Sequence, residues 1–220
     1  MFDSDAMKHL PNLLTLLRLV LSLMMFAAFA AIAGGLVGAT GTGPDTGLHL
    51  ARFAFAAFVI AAVTDFFDGW LARRWNVVST FGAILDPIGD KVLVCGAILG
   101  LLAVQTPGVP IPGGVILFRE FAVSALRETL APKGVKLPVT FLAKTKTTLQ
   151  LVALGALMVI WFWPAWGLHA DIDTLRKAMI GAQVLFGLSA VVTVWTGVEY
   201  ATAARKALHT SPGGRGRGPS

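Results

Sequence analysis

Long apolar stretches separated by short polar ones organise this chain of 220 residues. A helix needs about 20 apolar residues to cross the hydrocarbon core of a bilayer, and six stretches approach or exceed that length. The predicted helices are 13–33, 50–75, 80–104, 115–130, 144–163 and 179–203. The connecting segments contain Gly, Pro, Thr or Lys and predict loops at 34–49, 105–114, 131–143 and 164–175. The pattern predicts an all-α, polytopic membrane protein with six transmembrane helices.

Both ends of the chain depart from this pattern. Residues 1–10 are polar and mixed, and we expect a short N-terminal interfacial helix there. Residues 211–220 combine Gly, Pro, Ser and Arg without apolar anchors, which predicts a disordered tail. The remainder, 1–210, is expected to form a single membrane domain.

Composition strengthens the membrane interpretation. Hydrophobic residues make up 55% of the chain and charged residues 14%, whereas a soluble domain carries about 25% charged residues. The net charge is +6, and the basic residues interrupt apolar segments. This placement indicates contact with anionic lipid and phosphate-bearing substrates, and no nucleic acid. Cys95 is the only cysteine, so an internal disulfide is excluded.

Four acidic residues lie close to the junction of the second and third predicted helices. Asp65 and Asp68 are three residues apart and share one helix face. Asp86 and Asp90 are four residues apart and share a face of the next helix. Ionisable groups inside apolar membrane segments are costly and usually functional. Two antiparallel helices joined near 75–80 would bring all four carboxylates to one point.

Four uncompensated carboxylates at one point would repel one another and raise their pKa values. A hard divalent cation with oxygen ligands resolves this conflict, so the cluster predicts Mg²⁺ or Mn²⁺, which also take up substrate phosphates. Gly69, Ala72 and Gly82 remove bulk from the same faces, and Arg73 offers a planar charged fork for a phosphate. The competing interpretation is that the acids only pair with neighbouring basic residues such as Arg74 at the membrane surface.

These positions together resemble a family signature. The pattern D-x-x-D-G-x-x-A-R, eight residues, G-x-x-x-D-x-x-x-D begins at Asp65 and ends at Asp90. It resembles the signature of the CDP-alcohol phosphotransferases at all of its fixed positions. Members of that family transfer a phosphatidyl or related group from a CDP-linked donor to an alcohol and release CMP. The resemblance implies that Asp65, Asp68 and Asp86 hold two metal ions with help from Asp90, and that Asp90 takes the proton of the acceptor hydroxyl.

The same resemblance implies residues for the CDP moiety. They are Asn12, Gly69, Ala72, Arg73, Ser79 and Gly82. The run P-N-L-L-T-L-L-R, which ends at Arg18, is similar to the start of the first helix in this family. Arg18 would then lie near the phosphates. The alternative is an arginine whose long side chain extends to the membrane interface.

Further stretches resemble the branch of the family that makes phosphatidylglycerophosphate. They include R-E at 119–120, K-T-K-T at 144–147 and G-V-E-Y at 197–200. The substrates implied are CDP-diacylglycerol and glycerol 3-phosphate. The acceptor's own phosphate needs cations, and the candidates are Arg119, Arg127, Lys144 and Lys146, with most weight on Arg119 and Lys144. A structural ion pair between Arg119 and Glu120 explains those two residues about as well.

Two other functions stay open at this point. The acceptor could be another alcohol, such as serine or inositol phosphate. The acidic cluster could instead be an ion site in a transporter, although an ion alone requires neither small nor basic residues around it.

The basic residues also predict the orientation in the membrane. They concentrate on the side that holds both termini, so the positive-inside rule predicts a cytoplasmic acidic cluster and cytoplasmic termini in the cell (inner) membrane. The family resemblance implies a homodimer.

Overall fold

The computed structural model of the chain describes residues 4–35, 44–75, 80–131, 141–167 and 169–210; side chains are described for 12–35, 45–65, 67, 88–89, 91–131, 145–167 and 169–206. The described part contains six α-helices and no strand. The helices are α1 (Ser4–Ala33), α2 (Pro44–Trp75), α3 (Thr80–Ala103), α4 (Pro110–Leu130), α5 (Phe141–Trp161) and α6 (Ile172–Thr210). A 3₁₀ turn, Trp163–Trp166, follows α5. The predicted all-α fold class is confirmed.

Three helices are long and apolar enough to cross a membrane by themselves. The spans are Asn12–Ala33, Asp45–Asp65 and Ile172–Lys206. Lys91–Ala103 and Thr145–Trp161 are shorter apolar helices. The chain is therefore a membrane protein. The number of described helices, six, equals the number predicted. Three of these six meet the length and hydropathy criteria for a membrane span.

The helices form two groups of three that follow one another along the chain. In the N-terminal bundle, α1 packs along both α2 and α3, and α2 and α3 contact each other much less. In the C-terminal bundle, α6 packs along both α4 and α5. Contacts between the bundles are sparser and involve mainly α5 against α2 and α3. Each bundle thus has one central helix, α1 or α6.

Glycines bring α1 and α3 close together. A Cβ at Gly100 would stand 2.3 Å from the ring of Phe29, and one at Gly96 would stand 3.3 Å from Met25. Phe29 and Met25 are fully buried in the core. Helices in a membrane associate through such small residues because lipid provides no hydrophobic driving force between them.

Aromatic and polar contacts join the bundles at one end of the molecule. The rings of Phe55 and Trp166 meet edge to face with 5.1 Å between centroids. Nε of Arg52 donates to the carbonyl oxygen of Ala165. The start of α2 therefore meets the turn after α5, which makes these two helices antiparallel.

Four helices begin inside predicted loops: α2 at Pro44 in 34–49, α4 at Pro110 in 105–114, α5 at Phe141 in 131–143 and α6 at Ile172 in 164–175. α4 begins at Pro110, inside the predicted loop 105–114, because proline is tolerated in the first turn, where its missing N–H has no partner anyway. α6 begins at Ile172, inside the predicted loop 164–175. Asp171 caps this start, since its Oδ2 accepts from the backbone N–H of Thr174 at 3.1 Å.

The expected separate interfacial helix over 1–10 is not confirmed. The backbone is helical without interruption over Ser4–Ala33, with Pro11 inside α1. A proline removes one backbone hydrogen bond, but its fixed φ is compatible with a helix. The predicted tail, 211–220, and most of the predicted loop 131–143 lie outside the described residues.

Candidate functional site

An ion pair between α1 and α2 marks the described part of the acidic cluster. Nη1 of Arg18 lies 2.6 Å from Oδ1 of Asp65. The Arg18 side chain is 1% exposed, whereas that of Asp65 is 34% exposed. Arg18 is therefore buried between helices instead of extending to the interface, and the carboxylate of Asp65 stays partly accessible.

α3 completes this corner of the N-terminal bundle. Gly89, the neighbour of Asp90, faces Arg18, and a Cβ there would stand 3.5 Å from its Nη1. Thr15, one turn before Arg18, is 3.8 Å from the same point and is also buried. Arg18 thus lies where α1, α2 and α3 meet, next to both halves of the acidic motif.

The other acidic positions lie on the same two helices. Asp68 is on α2, and Asp86 and Asp90 are on α3. Their side chains lie outside the described ones, so the convergence of all four carboxylates stays a prediction. Among the described side chains, no three His, Cys, Asp or Glu residues form a group that could hold a metal ion.

The residues predicted for the CDP moiety belong to the N-terminal bundle. Asn12 is on α1 and is partly buried. The backbone positions of Gly69, Ala72 and Arg73 are on α2, and that of Gly82 is on α3. Ser79 lies outside the described residues.

A second cluster of charges is buried in the C-terminal bundle. Oε1 of Glu120 on α4 accepts from Nη1 of Arg119 at 3.3 Å and from Nζ of Lys146 on α5. Nη2 of Arg119 also donates to Oγ1 of Thr196 on α6 at 2.9 Å. Arg119 is 8% exposed and Lys146 5%. One carboxylate thus faces two buried cations, which leaves an excess of positive charge.

Tyr200 on α6 extends this cluster towards the end of α4. Nη2 of Arg127 donates to the Tyr200 hydroxyl at 2.7 Å, and its guanidinium lies 4.7 Å from the ring centroid. The guanidinium of Arg119 lies 5.6 Å from the same centroid. Both distances permit cation–π attraction. Of the two other predicted acceptor-site cations, Lys146 belongs to the cluster, and the Lys144 side chain lies outside the described ones.

Sequence reasoning missed the buried polar contacts that join α5 and α6. Nε2 of Gln150 on α5 donates to Oγ1 of Thr193 on α6 at 2.7 Å, and both residues are buried. The Thr193 hydroxyl in turn donates to the carbonyl oxygen of Ser189 at 2.6 Å. A signal was available: Thr193, Thr196 and Tyr200 are spaced by three and four residues and form a polar stripe along an apolar helix.

The two clusters lie at the same depth in the molecule. On α2, Phe58 faces Gly155 of α5, where a Cβ would stand 3.4 Å from the ring. Because α2 and α5 are antiparallel, two turns forward from Phe58 reach Asp65, and two turns back from Gly155 reach Thr148. Lys146 lies two residues before Thr148 on α5. The acidic and basic clusters therefore occupy the same end of these helices.

Comparison with known proteins now decides the family. The sequence profile described as CDP-alcohol phosphatidyltransferase matches residues 8–195. The chain belongs to this family. The match includes the whole acidic motif and the cluster residues Arg119, Glu120 and Lys146, and it ends one residue before Thr196.

Three similar proteins share one name, CDP-diacylglycerol–glycerol-3-phosphate 3-phosphatidyltransferase. The protein from Rickettsia felis is 36% identical over 200 residues, 90% of this chain and 97% of the relative. The protein from Escherichia coli K12 is 37% identical over 206 residues, 91% and 97% respectively. The protein from Rickettsia bellii is 42% identical over 149 residues, 68% and 77% respectively. This CDP-alcohol phosphatidyltransferase is thus an enzyme, similar to two of these relatives along nearly their whole length.

Proposed function

We propose that this enzyme transfers the phosphatidyl group of CDP-diacylglycerol to glycerol 3-phosphate, giving phosphatidylglycerophosphate and CMP in phospholipid biosynthesis. The observation that carries this acceptor is the excess positive charge of Arg119 and Lys146, buried at the depth of Asp65. An alcohol that carries a phosphate dianion is the ligand such a site favours. The names of the relatives support the same reaction.

The acceptor phosphate is proposed to bind between α4, α5 and α6. Nε of Arg119 is buried and lacks a hydrogen-bond partner among the described residues. A buried donor without a partner costs about 1–3 kcal/mol, which a phosphate oxygen would recover. Lys146 supplies a second charge, and Arg127 and Lys144 complete the proposed set.

The acidic motif is proposed to hold two divalent cations, Mg²⁺ or Mn²⁺. An all-carboxylate set of oxygen ligands suits these ions, and Asp65 fits this use because it stays partly exposed beside Arg18. The holding residues would be Asp65, Asp68, Asp86 and Asp90. Bound there, such a cation neutralises charge on the donor diphosphate.

Asp90 is proposed to act as the general base. It takes the proton of a glycerol hydroxyl while the hydroxyl oxygen forms a bond to the phosphatidyl phosphorus. The bond from that phosphorus to the CMP oxygen breaks, and CMP leaves with the electron pair. The position of Gly89 against Arg18 supports the location of Asp90 at the corner of three helices.

The CDP moiety is proposed to lie against the small residues of the motif. Gly69, Ala72 and Gly82 permit close approach to the backbone, and Arg73 binds a phosphate. Asn12 and Ser79 are the remaining proposed contacts. The acyl chains of the donor stay in the bilayer, and we place this site on the cytoplasmic side of the inner membrane in a homodimer.

The first test is CMP release by the purified protein in detergent with CDP-diacylglycerol and Mg²⁺. Glycerol 3-phosphate, glycerol, serine and inositol phosphate are added one at a time. We expect release with glycerol 3-phosphate alone, and loss of release with EDTA. An equal rate with glycerol would contradict the phosphate site while leaving the family intact. No release with any acceptor, together with ion flux in vesicles that ignores CDP-diacylglycerol, would favour a transporter.

A further inference from the structure

An apolar groove of about 700 Å³ runs between α4 and α6, on the face of the C-terminal bundle away from the basic cluster. Its walls include Ile111 and Val115 from α4 and Val191, Val194 and Trp195 from α6. Its volume lies within the range of about 300–1,000 Å³ that is typical of ligand sites. The wall residues Ile111, Val191 and Trp195 are more than 60% exposed, so no other described part of the chain covers them.

The groove has the length and direction of a lipid chain. It extends along α6 from Gly187 to Thr202, about 22 Å at the helical rise of about 1.5 Å per residue. One leaflet of bilayer hydrocarbon is about 15 Å deep, half of the core thickness. The groove therefore reaches from the hydrocarbon region to the level of the headgroups.

A carboxylate closes the headgroup end of this groove. Glu199 lines it, and its Oε1 accepts from Nε1 of Trp195 at 3.0 Å. Its Oε2 is buried and has no hydrogen-bond partner among the described residues. The next residue, Tyr200, contacts Arg127, which is exposed. Glu199 thus lies just inside the polar boundary of the bundle. One of its carboxylate oxygens, Oε2, accepts no hydrogen bond from the described residues.

Charge decides which occupant fits. A second copy of the chain in a twofold contact would present the same patch, and the described lining of the groove contains no Lys or Arg to meet Glu199. Two carboxylates would then face each other. A phospholipid with a primary ammonium headgroup supplies both the apolar chain and the N–H donor, whereas a quaternary ammonium has no N–H to donate.

We propose that this groove binds a phospholipid with a primary ammonium headgroup, one acyl chain lying between α4 and α6 and the ammonium donating to Oε2 of Glu199. The site is separate from the proposed substrate site and does not depend on it. The ligand class is a zwitterionic aminophospholipid.

Native mass spectrometry of the purified full chain, titrated with phosphatidylethanolamine or phosphatidylcholine of identical acyl chains, tests the proposal. We expect phosphatidylethanolamine to bind about tenfold more tightly, as one hydrogen bond to a charged group predicts. Glu199→Gln should reduce this preference to about twofold while CMP release is kept. Val191→Trp should weaken both lipids, and Val184→Trp, two turns earlier and exposed outside the groove, should weaken neither.

Three results would overturn the proposal. Equal binding of the two lipids by the unmodified protein would exclude recognition of the ammonium. A preference that survives Glu199→Gln would place the ammonium elsewhere. A change of oligomeric mass in Val191→Trp without a change in lipid binding would assign the groove to a second copy of the chain.

Discussion

The two bundles hold charge in different ways. In the N-terminal bundle, one buried arginine pairs with one partly exposed aspartate, next to Gly89. In the C-terminal bundle, two buried cations share one carboxylate, and buried hydroxyl and amide groups on α5 and α6 add hydrogen bonds. The first arrangement leaves one carboxylate partly exposed, as the proposed cation site requires, and the second holds two buried cations, as the proposed phosphate site requires. The comparison predicts that changes in the first bundle reduce turnover, whereas changes in the second reduce affinity for the acceptor.

The largest effect is expected from Asp90→Asn. Removal of a general base typically lowers kcat about 10²–10⁴-fold, and the KM for glycerol 3-phosphate should change little. CMP release measures both constants. The control is Asp173→Asn, an exposed acid in the first turn of α6, which should keep its activity. Activity near that of the unmodified enzyme in Asp90→Asn would remove the base from this position.

Lys146→Met should lower the affinity of the enzyme for glycerol 3-phosphate. A hydrogen bond to a charged group contributes about 1.5–3 kcal/mol, so the KM for glycerol 3-phosphate should rise about 10–100-fold. The KM for CDP-diacylglycerol should stay the same. Lys177→Met, at an exposed position near the start of α6, is the matched control. An equal rise in both KM values would contradict a separate acceptor site.

Glu120→Gln tests whether the basic cluster only stabilises the fold or also binds the phosphate of the acceptor. The change leaves Arg119 and Lys146 without their shared counter-charge, so the melting temperature should fall, by about 2–4 °C for each kcal/mol lost. Glycerol 3-phosphate should raise the melting temperature of this variant more than that of the unmodified enzyme, because a phosphate replaces the missing charge. Glu128→Gln, exposed on the same helix, should behave as unmodified. No additional stabilisation by the substrate would argue for a purely structural pair.

Gly100→Ala tests the close packing of the N-terminal bundle. The new methyl group would overlap the ring of Phe29, and overpacking costs about 1–3 kcal/mol. Gly114→Ala, with open space around the new carbon, should be neutral or slightly stabilising because alanine favours a helix. Thermal unfolding in detergent compares the two, and equal melting temperatures would show that α1 and α3 can separate without loss.

The smallest effect concerns the cap of α6. The Thr174 hydroxyl and backbone N–H hold the pKa of Asp171 below its usual 3.8. Because the folded pKa is depressed, this stabilisation is complete above the usual value and disappears as the pH falls through the folded pKa. Asp171→Ala should therefore lower the melting temperature slightly at pH 6 but not at strongly acid pH. An equal fall in melting temperature at both pH values would contradict this role of the Asp171 carboxylate.

Hydrophobic pattern and motif spacing predicted the helices and a position for the chemistry, but not the partners of individual side chains. The apolar runs located the six described helices, but four helices, those that begin at Pro44, Pro110, Phe141 and Ile172, start inside a predicted loop. The sequence could not show whether the Arg18 side chain extends to the membrane interface or is buried. That depends on Asp65, which lies on a different helix. The bridge from Glu120 to Lys146 joins residues on different helices, so neither spacing nor composition could reveal it.

The order of the bundles along the chain has a consequence for biogenesis. α1, α2 and α3 contact one another far more than they contact the later helices, so these helices can insert and associate while the ribosome still holds the second half. Asp65 can then pair with Arg18 before the cations of α4 and α5 reach the membrane. Contacts such as Phe55 with Trp166 become possible only after α5 is complete, so docking of the second bundle is the last step in assembling the described helices.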